Sequence, residues 1–83
     1  MKKTLRFNGL YLKLDSSRAV VSVTRAGVEL TASYERACDT RVLYAGNEAY
    51  RLSRAQLSWL ESKRGEVQSF LDCRLNKSHS RGR

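Results

Sequence analysis

The stretch Thr4-Leu5-Arg6-Phe7-Asn8-Gly9-Leu10-Tyr11-Leu12-Lys13-Leu14 decides the fold class. Leu5 and Phe7 before Asn8-Gly9, and Leu10, Leu12 and Leu14 after it, recur at period two. That period sends successive side chains to opposite faces of a strand, whereas a helix needs apolar residues three and four apart. Asn-Gly between two such runs marks a type I′ turn, whose two central residues both take positive φ, a conformation that asparagine and glycine adopt at least cost. The segment is therefore an antiparallel hairpin. Its leucines lie on one face, and Arg6, Tyr11 and Lys13 lie on the other.

The same alternation continues outward. Asp15-Ser16-Ser17-Arg18 has turn chemistry, since short polar side chains bond to nearby backbone. Ala19, Val21 and Val23 then share a face, with Ser22 and Thr24 opposite and Arg25-Ala26-Gly27 as a short connection. Val28, Leu30, Ala32 and Tyr34 alternate with Glu29, Thr31, Ser33 and Glu35, which predicts an eight-residue, half-buried strand. Arg36 to Thr40 reads as a loop. Val42 and Tyr44 oppose Arg41 and Leu43, Gly46-Asn47 is a second two-residue hairpin turn, and Tyr50 and Leu52 extend the alternation beyond it. An alternative makes Glu29 to Cys38 helical, because glutamate, leucine, alanine and arginine are tolerated in helices. The pattern predicts an α+β fold: a small antiparallel, hairpin-built sheet or partly closed barrel of five to six short strands, followed by a C-terminal amphipathic helix.

Ser53 has the chemistry of an N-cap, and Gln56 stands three residues on, where it can bond back in a capping box. Leu57, Leu60, Val67, Leu71 and Leu75 then fall on one helical stripe flanked by Trp59 and Phe70. This predicts a helix from about Arg54 to Arg74. Gly65 interrupts it at a cost of about 1 kcal/mol relative to alanine, so a break or bend belongs there. Residues 1–75 are read as one β-rich domain with a C-terminal helix. From Asn76 to Arg83 there is no apolar side chain to offset the entropy of ordering, and 76–83 is read as a disordered basic tail.

A chain of 83 residues with 41% hydrophobic and 29% charged residues suits one small globular core and excludes a two-domain enzyme with a large cofactor cleft. No apolar run approaches the roughly 20 residues of a membrane span or the 7–15 of a signal-peptide core, so a cytoplasmic location with reduced Cys38 and Cys73 is expected. The two cysteines are far apart in sequence and the single histidine, His79, lies in the polar tail. A zinc site or a nucleophile paired with a histidine is therefore not expected, nor is any cofactor. The acids are scattered singly, and the glycines are too dispersed for a phosphate loop.

What rises above background is charge combined with aromatic residues. The formal net charge is +8, and arginine outnumbers lysine eleven to five, a bias suited to bidentate contacts with phosphate or carboxylate. Arg6, Tyr11, Lys13, Arg41 and Arg51 lie opposite the apolar alternation, Arg25 and Arg36 stand near strand ends, and Lys77, Arg81 and Arg83 lie in the tail. Such a face can hold phosphates while Tyr11 or Tyr44 stacks on a base. The expectation is a non-enzymatic protein that contacts DNA or RNA. The alternative is a small accessory protein, of the kind coded by phages and plasmids, that docks on the acidic surface of a larger enzyme or nucleoprotein complex and modulates it. In that case Trp59 and Phe70 are the candidate anchors for a protein partner, or for a second copy paired through the C-terminal helix.

Overall fold

The leucines that follow Asn8-Gly9 are withdrawn from solvent as a group: Leu10, Leu12 and Leu14 are all buried. Asn8 and Gly9 take φ of 47° and 78°, the two positive values that a type I′ turn requires. A computed structural model describes residues 2–15 and 17–71. Its strands are β1 (Lys2–Phe7), β2 (Leu10–Asp15), β3 (Arg18–Arg25), β4 (Val28–Ser33), β5 (Val42–Ala45) and β6 (Glu48–Arg51). Helix α1 (Tyr34–Thr40) joins β4 to β5, α2 (Arg54–Ser62) follows β6, and α3 covers residues 64–71.

All six strands form one antiparallel sheet in sequence order. Its edges are β1 and β6, so the sheet is open where a partly closed barrel was expected. The physical reason lies in β5 and β6, which are four residues each, and in the β4 to β5 junction, where the register holds a single pair, Thr31↔Tyr44. Closure needs strands long enough to tilt and stagger around an axis.

One face of the sheet is the core. The register aligns Leu5, Leu12, Val21 and Ala32 across four strands, and Leu10, Val23 and Leu30 in the next row. Leu43 pairs with Tyr50 on the same side and is fully buried. Tyr34, Ala37, Leu60 and Val67 from the helices complete this apolar cluster.

Three sequence expectations need correction here. The fourth strand ends at Ser33 rather than continuing through Glu35, and 36–40 is helical, not a loop. Ser33 caps α1, its Oγ accepting from the Arg36 amide at 3.3 Å. Second, Leu43 points inward while Tyr44 is 45% exposed, the reverse of the predicted phase. Arg41 takes the left-handed conformation (φ 63°) as the C-cap of α1 and so resets the alternation before β5 begins. Third, the break expected at Gly65 in the helix predicted over 54–74 is present but falls two residues earlier, at Lys63, dividing it into α2 and α3, and the last residues of that helix lie outside those described.

The capping box at the start of α2 is present as the sequence reads it. It does more than end a helix. The buried Gln56 side chain accepts from the Ser53 amide at 3.0 Å and from the Tyr50 hydroxyl at 3.2 Å, and its Nε2 donates to the Asn8 carbonyl at 3.1 Å. One side chain thereby fastens α2 to the first hairpin turn and to β6.

At the other end of α2 the buried Tyr34 hydroxyl donates to the Leu60 carbonyl at 2.6 Å. Burial, then the neighbouring Cys38, pushes the Tyr34 hydroxyl from its ordinary 10.0 up to about 12. The folded state therefore holds this proton where the unfolded chain releases it. The stability it contributes is complete below about pH 10 and is lost as pH rises through about 12. Tyr34→Phe has no proton to lose at this position. Its unfolding free energy from urea denaturation is expected to be lower at neutral pH by about 1 kcal/mol for the missing hydrogen bond, and to fall less steeply than the parent's between pH 10 and 12.

Candidate functional site

Among the described residues the helices pack on one side of the sheet and leave the other open. Strand parity assigns Lys2, Thr4 and Arg6 of β1 to that open side, with Tyr11, Lys13 and Asp15 of β2 facing them pair by pair. Arg18, Val20 and Ser22 of β3 continue the rows, followed by Glu29 and Thr31 of β4, then Val42 and Tyr44 of β5, with Ala49 and Arg51 of β6. One row runs straight across all six strands: Arg6, Tyr11, Ser22, Thr31, Tyr44, Ala49.

Of the residues singled out from the sequence, Arg6, Tyr11, Lys13, Arg51 and Tyr44 meet on this surface. Arg41 does not. It is exposed, but at the cap of α1 rather than in a strand, so its side chain stands outside the rows. Arg36 is carried by α1, and Arg25 donates from its Nη1 to the Ala49 carbonyl at 3.4 Å. Lys77, Arg81 and Arg83 lie outside the described residues, as does Cys73.

Two cations of the face were not among the sequence candidates. Lys2 pairs with Asp15, and Asp15 pairs in turn with Arg18, so both bases border the same end of the open surface. Lys2 was legible by stepping back two positions at a time from Arg6. Arg18 was not, because it sat in a segment with turn chemistry. Together the face carries Lys2, Arg6, Lys13, Arg18 and Arg51 against Asp15 and Glu29. A depression of about 340 Å³ lies here, lined by Lys2, Lys13, Asp15, Arg18 and Glu29 among others.

Lys13 and Glu29 form an ion pair at 2.7 Å, from β2 to β4 across the intervening β3. Ser22 of β3 lies beneath, only 1% exposed. The Lys13 ammonium, by hydrogen bond and by charge, holds the Glu29 carboxyl below the usual carboxylate range. Both side chains are about half exposed, and water screens an exposed pair so that little stability rests on it. Lys13 can therefore exchange Glu29 for another anion at small cost.

The candidate protein anchors sit on the helical side. Trp59 is stacked on Phe7 with ring centroids 5.4 Å apart and planes 9° from parallel, and the Lys63 ammonium stands 5.9 Å from the indole centroid. Phe70 is partly buried against the apolar cluster. Cys38 is half-buried, and burial pushes its thiol up. A raised thiol has less thiolate at neutral pH and is the less nucleophilic for it.

Among the described residues no group of three or more His, Cys, Asp or Glu is placed to hold a metal ion, and no helix is long and apolar enough to cross a membrane. Comparison of the chain with models of protein families, with curated proteins and with solved structures finds no match in any of the three.

Proposed function

We propose that this chain is a non-enzymatic binding protein that holds DNA or RNA on the open face of its sheet. The observation that carries the reading is the register, which gathers Arg6, Lys13 and Arg51 with Tyr11 and Tyr44 on one surface that the described helices leave uncovered and adds Lys2 and Arg18 at its border. Cations along a strand row attract phosphates over a Debye length of about 10 Å at moderate salt. Guanidinium groups then make paired contacts with phosphate oxygens, and tyrosine rings offer every base a stacking partner. Arg74, Lys77, Arg81 and Arg83 add positive charge with no apolar surface of their own, which suits a supplementary contact to the backbone.

The accessory-protein reading draws less support. Trp59, its best anchor, already has Phe7 against one face of its ring.

Fluorescence anisotropy of labelled oligonucleotides, titrated with the full chain and with a chain ending at Asn76, tests the proposal. Binding by both chains is expected, with log K falling linearly against log salt at about 0.7–0.9 per phosphate contacted. Binding that disappears with the tail, or that ignores salt, overturns an interface on the sheet.

A further inference from the structure

Resting on that reading, we infer that the ligand is a single strand of nucleic acid rather than a duplex, laid across the β-strands between Tyr11 and Tyr44. Both rings belong to the row that crosses the sheet, with Ser22 and Thr31 between them. From β2 to β5 is three inter-strand steps, about 14 Å. The row between the rings carries the small side chains Ser22 and Thr31, and Ser22, 1% exposed, is covered by the Lys13–Glu29 pair, so a strand laid between the rings meets that pair.

This arrangement suits unpaired bases. In a duplex the base faces are stacked on one another about 3.4 Å apart and are closed to a protein ring, so a duplex meets this surface through its phosphates alone. An unstacked strand can turn one base onto Tyr11 and a later one onto Tyr44, with the intervening backbone crossing over Ser22 and Thr31. Arg6 is the direct cross-strand neighbour of Tyr11, and Arg51 lies on the strand beside Tyr44, so each ring has a guanidinium at hand for the adjoining phosphate.

The Lys13–Glu29 pair lies between the rings, over Ser22. A phosphate passing there takes the place of Glu29 as the partner of Lys13. Glu29 is then a like charge beside the strand, and its removal strengthens binding.

The test compares a short single strand, its duplex, and a strand of equal length and charge whose sugars carry no bases. The full chain is expected to bind the single strand at least tenfold tighter than the other two at one salt concentration. Tyr11→Leu and Tyr44→Leu are each expected to lower single-strand affinity by roughly tenfold and to leave duplex and abasic binding unchanged, while Tyr11→Phe and Tyr44→Phe keep the parent affinity. Glu29→Gln is expected to raise single-strand affinity. Circular dichroism of each variant reports retention of the fold. Equal affinity for the single strand, the duplex and the abasic strand, with no effect of the leucine variants, overturns the inference while leaving nucleic-acid binding in place. Failure to bind any of the three removes the underlying reading as well.

Discussion

Leu12→Ala is expected to remove about 3–4 kcal/mol of folding stability. Leu12 is fully buried at the middle of β2, paired with Leu5 on one side and Val21 on the other. Its loss exposes no new surface to water but leaves a void that the flanking strands, held in register, close only in part, which is why buried Leu→Ala changes cost about 2–5 kcal/mol. Domains of this size have a total of roughly 0.05–0.15 kcal/mol per residue, so the change takes about a quarter or more of it. The corresponding fall in Tm is about 12–30 °C. Trp59, the single tryptophan and stacked on Phe7, supplies the fluorescence signal for urea denaturation. Val20→Ala, on the open face of the neighbouring strand, is the comparison and is expected to cost less than about 1 kcal/mol. Equal costs at the two positions contradict the assignment of faces.

The second large effect concerns binding. Replacing Arg6, Lys13 and Arg51 together by alanine removes three cations from the open face. Each phosphate contact on a single strand adds about 0.7 to the slope of log K against log salt, so the slope is expected to become shallower by about 2. Taking 1 M salt as the point where the ionic contribution vanishes, affinity at 0.1 M drops roughly 100-fold. The control is the triple variant of Arg36, Arg54 and Arg64, all exposed and all carried by the helices. It changes the net charge by the same amount. A nonspecific attraction to the whole molecule lowers affinity equally in both, whereas an interface on the sheet leaves the helical variant within a few-fold of the parent.

The parts of the fold that were legible in the sequence are those fixed by neighbours a few residues away. Asn8-Gly9 announces its turn because the two φ values are a property of those residues, and Ser53 with Gln56 announces a helix start because both bonds of the capping box span three positions. Alternation also gave the shared face of Arg6, Tyr11 and Lys13, and it assigned Arg51 correctly. It failed where the chain changes phase. Tyr34 continues the period-two pattern of β4, so the strand appeared to run past Ser33, and only the serine as a possible N-cap signalled α1. A non-glycine residue at positive φ, Arg41, then shifted β5 by one position, which misassigned Leu43 and Tyr44 but left β6 in phase. The two-residue turn at Gly46-Asn47 contained the remedy: it pairs Tyr50 with Leu43, and a half-buried Tyr50 implies a buried partner. The stacking of Trp59 on Phe7 was not legible in the sequence, since the contact spans most of the described chain.

The sequence-ordered sheet also has a consequence for the chain during its synthesis. Every strand joins the one made just before it, and hairpins close in about 1–10 μs, far faster than a ribosome adds residues. The first four strands can therefore assemble in the order in which they emerge. The side chains that roof them, Leu60 and Val67 among them, are made later. At about 5–20 residues per second, roughly 2–7 s separate translation of Leu30 from that of Val67. During that interval a nascent sheet presents Leu10, Leu12, Val21 and Leu30 uncovered, so aggregation and chaperone capture compete with folding until α3 is made.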